Sequence, residues 1–293
     1  MQKMRKKLLV IIISAISFIG IMVSFGAGFS KAQTSSTGST KDRLQAIKEK
    51  GVLTAASAND RPFAYIDPQT NQFTGVDAEI ITEVARRLGI DKVEMKYVPF
   101  ENLLVELNKN NDIDIAADGL YVTDERKKEV LFTNVWYKEP EVIITPKATK
   151  FNFKEDLKDA MVGAQNKTPF LDLAQKWEKE GLIKNFKILE SQSELILAVA
   201  NGEVDAGIID YLAASYVLAE NKNLNLKILT PYKPEIPGMV AGAVKKTDAT
   251  FAEEVNKKID EMKEDRTLIG ILKKYGMDES NFVSVKDGNI LEQ

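Results

Sequence analysis

The stretch Ile113–Lys128, IDIAADGLYVTDERKK, carries three structural signals in a row. Ile113 to Ala117 is a short apolar run with the length and composition of a buried strand. Asp118-Gly119 ends it with turn chemistry. Thr123 then opens a helix as N-cap, and Asp124 and Glu125 in the first turn suit the positive end of the helix dipole. Strand, turn and helix in that order form the repeating unit of α/β architecture. One residue does not conform. Arg126 is a permanent cation three residues after the cap, where the dipole disfavours it.

The same alternation extends on both sides. Upstream, KDRLQAIKEK reads as a helix capped by Thr40 and stopped at Gly51, and VLTAAS (52–57) as a buried strand. FAYIDPQTNQFTG reads as a hairpin around Asp67-Pro68, VDAEIITEVARRLG as a helix ending on Gly89, KVEMKYV as a strand and ENLLVELNKN as a helix. Downstream, AMVGA, FKIL and VDAGII are strands, separated by the helical stretches PFLDLAQKWEKEG and ELILAVANG and followed by the helix YLAASYVLAE. MVAGAVKK reads as one more strand, and two amphipathic helices (249–265 and 267–275) close the chain. ELNKNNDIDIA and AVANGEVDAGI echo each other as helix, polar turn and apolar-Asp-apolar strand. The echo predicts two similar α/β lobes, each the size of a small domain.

The N-terminus reads differently. Met1–Lys7 is basic, Leu8–Phe29 is almost wholly apolar, and Ser30-Lys31-Ala32 has the small residues of a cleavage site. Residues 1–32 are therefore expected to be a signal peptide or a retained N-terminal anchor, and Gln33–Thr40 a flexible tether. The exported remainder is expected on the extracytoplasmic face or secreted, and not as a lipoprotein, since no cysteine follows the apolar run.

Composition narrows the chemistry. The 293 residues include no histidine and no cysteine, which removes Ser-His and Cys-His catalysis, thiolate metal sites and disulfides. Residues 1–32 carry five basic side chains and no acid, so the rest has a formal net charge of −8 rather than the −3 of the whole chain. An acidic exported domain is a poor partner for nucleic acid or anionic membrane. No cofactor and no metal are expected.

In open α/β sheets ligands sit beyond the carboxyl ends of strands. Three such places contain suitable chemistry: the opening stretch, VGAQNKT (162–168) and IIDYL (208–212). Gly119 permits close backbone approach, and Arg126 has a planar fork suited to a carboxylate. Asp210 directly follows an apolar strand, where it could receive an ammonium. Both residues also have a plainer reading. Arg126 could pair with Glu125 or Glu129 on an exposed helix surface, and Asp210 could cap the helix that follows.

From about Leu44 to Tyr275 the chain resembles the extracytoplasmic solute-binding proteins for polar amino acids, the receptors of ABC importers. RPFAYID (61–67), GVDAEIITEVARRLG (75–89), IDIAADGLYVTDERKKEVLFT (113–133), VDAGIID (204–210) and EMKEDRTLIGILKKYG (261–276) carry the resemblance, in order and spacing. It implies a two-lobed periplasmic-binding-protein-like α/β fold, each lobe a mostly parallel sheet flanked by helices, with a hinge between them. Residues 41–144 and 239–293 would form lobe 1, and 145–238 lobe 2. It further implies that Arg126 holds a ligand α-carboxylate and Asp210 its α-ammonium. Gly119 and Tyr121 would line the same site, with Gln165, Thr168 and Phe170 on the second-lobe loop.

The departures concern the ligand. Asp60 stands where the family often has an aromatic before the Pro-Phe pair, Lys167 replaces a common glycine, and Pro169 lacks an N–H. Asp60, Phe63, Phe100, Tyr121 and Arg126 are similar to the pocket of the ectoine-binding branch, where an acid and aromatic faces hold a delocalised cation. Asp118 adds a second acid, or caps a turn. The implied function is capture of an amino acid or amino-acid-like zwitterion, with ectoine or a similar solute as a variant, by a monomer that presents its closed form to a membrane permease. A function of another class, a dehydratase with Asp60 or Asp118 as general acid, is compatible with the same fold.

Overall fold

The computed structural model describes residues 42–236, 238–286 and 289–291, so the expected export segment, the tether and the proposed cap Thr40 lie outside the described residues. Two five-stranded sheets carry the architecture. In the first, Val52–Ser57 pairs in parallel with Lys92–Tyr97 on one side and Ile115–Ala116 on the other. Ala243–Val244 adds antiparallel to Ile115–Ala116, and Leu131–Phe132 antiparallel to that. In the second, Met161–Gln165 is flanked in parallel by Asn185–Leu189 and Ala206–Asp210. Glu141–Pro146 then runs antiparallel to Ala206–Asp210, with Leu226–Ile228 outermost.

The two sheets follow one plan: three parallel strands in the order second-first-third, then two strands each antiparallel to the one before it. The echoed segments occupy matching places. Each supplies the helix and the third parallel strand of its sheet, Leu103–Lys109 with Ile115–Ala116 and Gln192–Ala200 with Ala206–Asp210. The fourth strand in each sheet is the chain newly arrived from the other lobe, Glu141–Pro146 on the outward passage and Ala243–Val244 on the return.

Helices cover the sheets with their apolar faces. Val76–Leu88 buries Val76, Ile80, Ile81 and Val84 at helical spacing and ends on Gly89 in the left-handed region, the C-terminal stop its sequence announces. In the second lobe Pro169–Lys179 buries Leu173, Ala174 and Trp177. Each fully buried Leu, Ile or Val contributes about 1.5–3 kcal/mol relative to exposure, so these faces fix the loops at the strand ends.

Three expectations change. The strand Glu141–Pro146 belongs wholly to the second sheet, so a boundary at 144/145 falls inside it. MVAGAVKK is not one strand: Met239–Val240 pairs with Tyr137–Lys138, and only Ala243–Val244 joins the first sheet. The first helix begins at Arg43 with Asp42 in the N-cap position.

The outward and return passages run side by side. Beyond the Tyr137–Lys138 and Met239–Val240 pairing, Glu139 donates its N–H to the Gly238 carbonyl at 2.8 Å. Gly238 has φ +63°, and a Cβ there would stand 1.6 Å from the Glu139 carbonyl oxygen. Glycine is required for this approach.

Candidate functional site

Five loops at the carboxyl ends of parallel strands converge between the sheets. They follow Tyr97, Ala116, Gln165, Leu189 and Asp210. Arg126 comes from the loop and short helix after the first sheet's third strand. Thr123 caps that helix, its hydroxyl accepting the Arg126 N–H at 3.2 Å. The Arg126 side chain leaves the helix surface. One terminal nitrogen donates to the Tyr121 carbonyl at 2.8 Å and the other to the Lys167 carbonyl at 2.9 Å, so the guanidinium bridges the two lobes. Its carbon lies 5.6 Å from the Phe100 ring centre, a cation–π distance. Among the described residues Arg126 forms no ion pair with Glu125 or Glu129; Glu125 is paired instead with Lys128. Burial lowers the Arg126 pKa to about 10, against the opposing pull of Asp210, and leaves it charged at neutral pH.

Lys167 presents that carbonyl from the left-handed region, φ +58°. This is the backbone conformation a glycine would adopt without cost.

Asp210 ends the strand Ala206–Asp210 and is 3% exposed. It occupies the N-cap position of Tyr211–Glu220, yet its side chain makes no capping hydrogen bond. Its Oδ2 accepts from Gln192 Nε2 at 3.1 Å instead. Burial raises the Asp210 carboxyl to about 7; its own backbone N–H, the Tyr121 hydroxyl and Arg126 pull the other way, while Asp60 adds to the rise.

Tyr121 and Phe170 meet edge to face across the lobes, ring centres 5.4 Å apart and planes at 80°. The Tyr121 hydroxyl donates to the Glu139 carbonyl at 2.9 Å. Thr168 caps the helix Pro169–Lys179; its hydroxyl donates to the Gln165 carbonyl at 2.6 Å and accepts from Leu171 N–H at 3.4 Å. Gln165 Nε2 is buried with no hydrogen-bond partner. Gly119 has φ +62°, and its N–H donates to the buried Asp77 carboxylate at 2.7 Å.

Eight of the eleven residues singled out from the sequence come together here. Phe100, Gly119, Tyr121, Arg126, Gln165, Thr168, Phe170 and Asp210 line one narrow gap, together with Pro169 and Gln192. Three do not reach its lining. Phe63 is fully buried in the core behind Gly119, its ring 3.1 Å from where a Gly119 Cβ would lie. Asp118 accepts from Ala58 N–H at 2.8 Å and lies 3.0 Å from the Ser57 hydroxyl, tying two strand ends together. Asp60 is buried with Oδ2 unpartnered, and burial raises its carboxyl to about 7. Burial, then the Asp60 charge, push Asp118 well above the usual carboxylate range.

Gln192 was not picked out from the sequence. It follows the cap Ser191 at the carboxyl end of Asn185–Leu189, and the strand-end rule that located the other loops applies to it equally. The Lys167 carbonyl and Glu139 left no comparable local signal.

The gap encloses about 10 Å³, room for one water and no more. Beside it, sharing Phe100, Arg126, Thr168 and Pro169, a cleft of about 400 Å³ opens outward between the lobes. Any solute larger than water enters the gap only when the two walls separate. Among the described residues no group of carboxylates is arranged to hold a metal ion. A cation fork at one end and a buried carboxylate at the other suit a small dipolar molecule.

The profile of the bacterial extracellular solute-binding proteins, family 3, matches residues 52–278. The L-cystine-binding protein TcyA of Bacillus subtilis is 30% identical over 273 residues, 92% of this chain and 97% of its own length. The ABC transporter glutamine-binding protein GlnH of the same organism is 26% identical over 275 residues, with the same coverage. Among solved structures, an amino acid ABC transporter substrate-binding protein from Streptococcus pneumoniae bound to L-arginine superposes with a TM-score of 0.71 at 26% identity, covering 80% of this chain and 98% of that one.

Proposed function

The chain belongs to the bacterial extracellular solute-binding proteins of family 3, and on that premise we propose that it captures an amino acid or a similar zwitterion between its lobes for an ABC importer. The observation that carries the reading is the placement of Arg126 and Asp210 in the lining of one gap, the first from the first lobe and the second from the other. The guanidinium takes the ligand carboxylate in exchange for the Tyr121 and Lys167 carbonyls it now holds. Asp210 takes the ammonium. Phe100, Tyr121 and Phe170 supply apolar walls, and the unpaired Gln165 amide supplies a donor.

Closure follows from the two-walled arrangement. A ligand held only by one lobe gives no differential stabilisation of the closed form; one that touches both does. A membrane permease then meets the closed monomer. The proposed role is binding rather than turnover; Asp118, one of the two acids considered for catalysis, is occupied by the Ser57 hydroxyl and the Ala58 N–H.

Asp60 lies outside the gap's lining with one carboxyl oxygen unpartnered, an acceptor for a positive group on a ligand long enough to reach it. A cyclic solute such as ectoine, with a delocalised cation and one carboxylate, meets the same two poles. The test is calorimetry of residues 42–293 against neutral, cationic and acidic amino acids and ectoine. Arg126→Ala is expected to abolish the binding of whichever solute is held while leaving the melting temperature of the empty protein within a few degrees. Unchanged affinity in that variant overturns the site assignment.

A further inference from the structure

We infer that Glu139, on the passage between the lobes, is the positioning residue for Asp210: it caps the helix that Asp210 would otherwise cap and so leaves the Asp210 carboxylate facing the gap. The inference deepens the reading above, from which it takes the role of Asp210.

An aspartate at an N-cap normally turns its carboxylate onto the N–H of the second or third helical residue. Asp210 holds that place before Tyr211–Glu220 and does not do so. The donors at the helix start are satisfied from elsewhere. Tyr211 N–H donates to the Pro140 carbonyl at 3.0 Å, and Leu212 N–H donates to Glu139 Oε1. Two adjacent residues of the lobe crossing thus replace the local cap, and Asp210 Oδ2 is left to accept from Gln192.

Glu139 is well placed to hold this post. It is 1% exposed, its N–H is bound to the Gly238 carbonyl and its own carbonyl accepts the Tyr121 hydroxyl. One residue therefore touches the return passage, an aromatic of the first-lobe wall and the helix that follows the second-lobe acid. Its Oε2 has no partner. Burial and the neighbouring Asp210 charge push its carboxyl well above the usual glutamate range, so a carboxamide is a close substitute that keeps the acceptor.

The experiment is carboxyl and amide NMR of the empty protein across pH 4–9, on the wild type, Glu139→Gln and Glu139→Ala. In the wild type the Leu212 amide shift is expected to follow the Glu139 titration; an amide that follows Asp210 overturns the inference without any variant. In Glu139→Ala, Asp210 swings onto Leu212 N–H, and its titration falls below that of the wild type. Glu139→Gln keeps Asp210 raised. A folded Glu139→Ala protein in which Asp210 titrates as in the wild type also overturns it. No ligand enters these measurements, so a failure of the amino-acid reading and a failure of the positioning role are read separately.

Discussion

Lowering the pH from 7 to 5 should weaken ligand binding by a predictable factor. The Asp210 carboxyl is raised to about 7 in the empty protein, chiefly by burial. An ammonium docked against it requires the ionised form and drives its pKa back toward or below the ordinary aspartate value. Protons therefore compete with the ligand, and affinity rises with pH until it levels off above 7. With an empty-state pKa of about 7, half of the sites are blocked at pH 7 and about 99% at pH 5, a loss of about 50-fold, or roughly 2.3 kcal/mol. Proton release on binding is about half a proton at pH 7 and approaches one at pH 5. Calorimetry in buffers of different ionisation enthalpy reads both quantities, using L-glutamine or L-arginine, which do not titrate in this range. Asp210→Asn removes the slope. Asp60→Asn shifts its midpoint downward, because the Asp60 charge adds to the rise of Asp210. An affinity that is flat between pH 5 and 7, with no proton released, refutes the reasoning.

The stability of the empty protein moves in the opposite sense. Asp60 and Asp210 bind protons more tightly when folded, so their contribution is complete below about pH 4 and is lost as the pH rises through 7; a melting temperature that rises over that interval in the wild type, relative to Asp60→Asn/Asp210→Asn, contradicts this. Gly238→Ala drives a methyl into the Glu139 carbonyl and strains a positive φ, and is expected to cost about 3 kcal/mol or more in chemical denaturation. A loss below about 1 kcal/mol would mean that the crossing adjusts freely. Tyr121→Phe removes the 2.9 Å hydrogen bond to the Glu139 carbonyl but keeps the edge contact with Phe170, for an expected loss of about 1–2 kcal/mol.

The parallel strands and their helices were legible because each rests on local chemistry. An apolar run, a turn residue and a cap such as Thr123, Thr168 or Ser191 announce themselves within a dozen residues. Glu141–Pro146 was not legible: it lies between Pro140 and Pro146, and its pairing partner is some sixty residues away in sequence. The anomaly at Arg126 has a geometric counterpart. Its side chain leaves the dipole it opposes and spans the cleft to the Lys167 carbonyl. Asp210 was ambiguous from local sequence because the group that relieves it of capping, Glu139, arrives from another part of the chain. Phe63 shows the limit in the other direction, since an aromatic beside a cleft and one in the core behind it have the same local pattern.

The origin of the fourth strand in each sheet has a consequence for synthesis and export. The second lobe draws all five of its strands from one uninterrupted stretch, 141–228, so a chain emerging N-terminus first can assemble that lobe while its tail is still being made. The first lobe cannot close its sheet until Ala243–Val244 has appeared, although its strand Val52–Ser57 is the first to emerge. The half of the molecule made earliest is thus the last to mature, and until then its unfinished edge is the part most in need of protection.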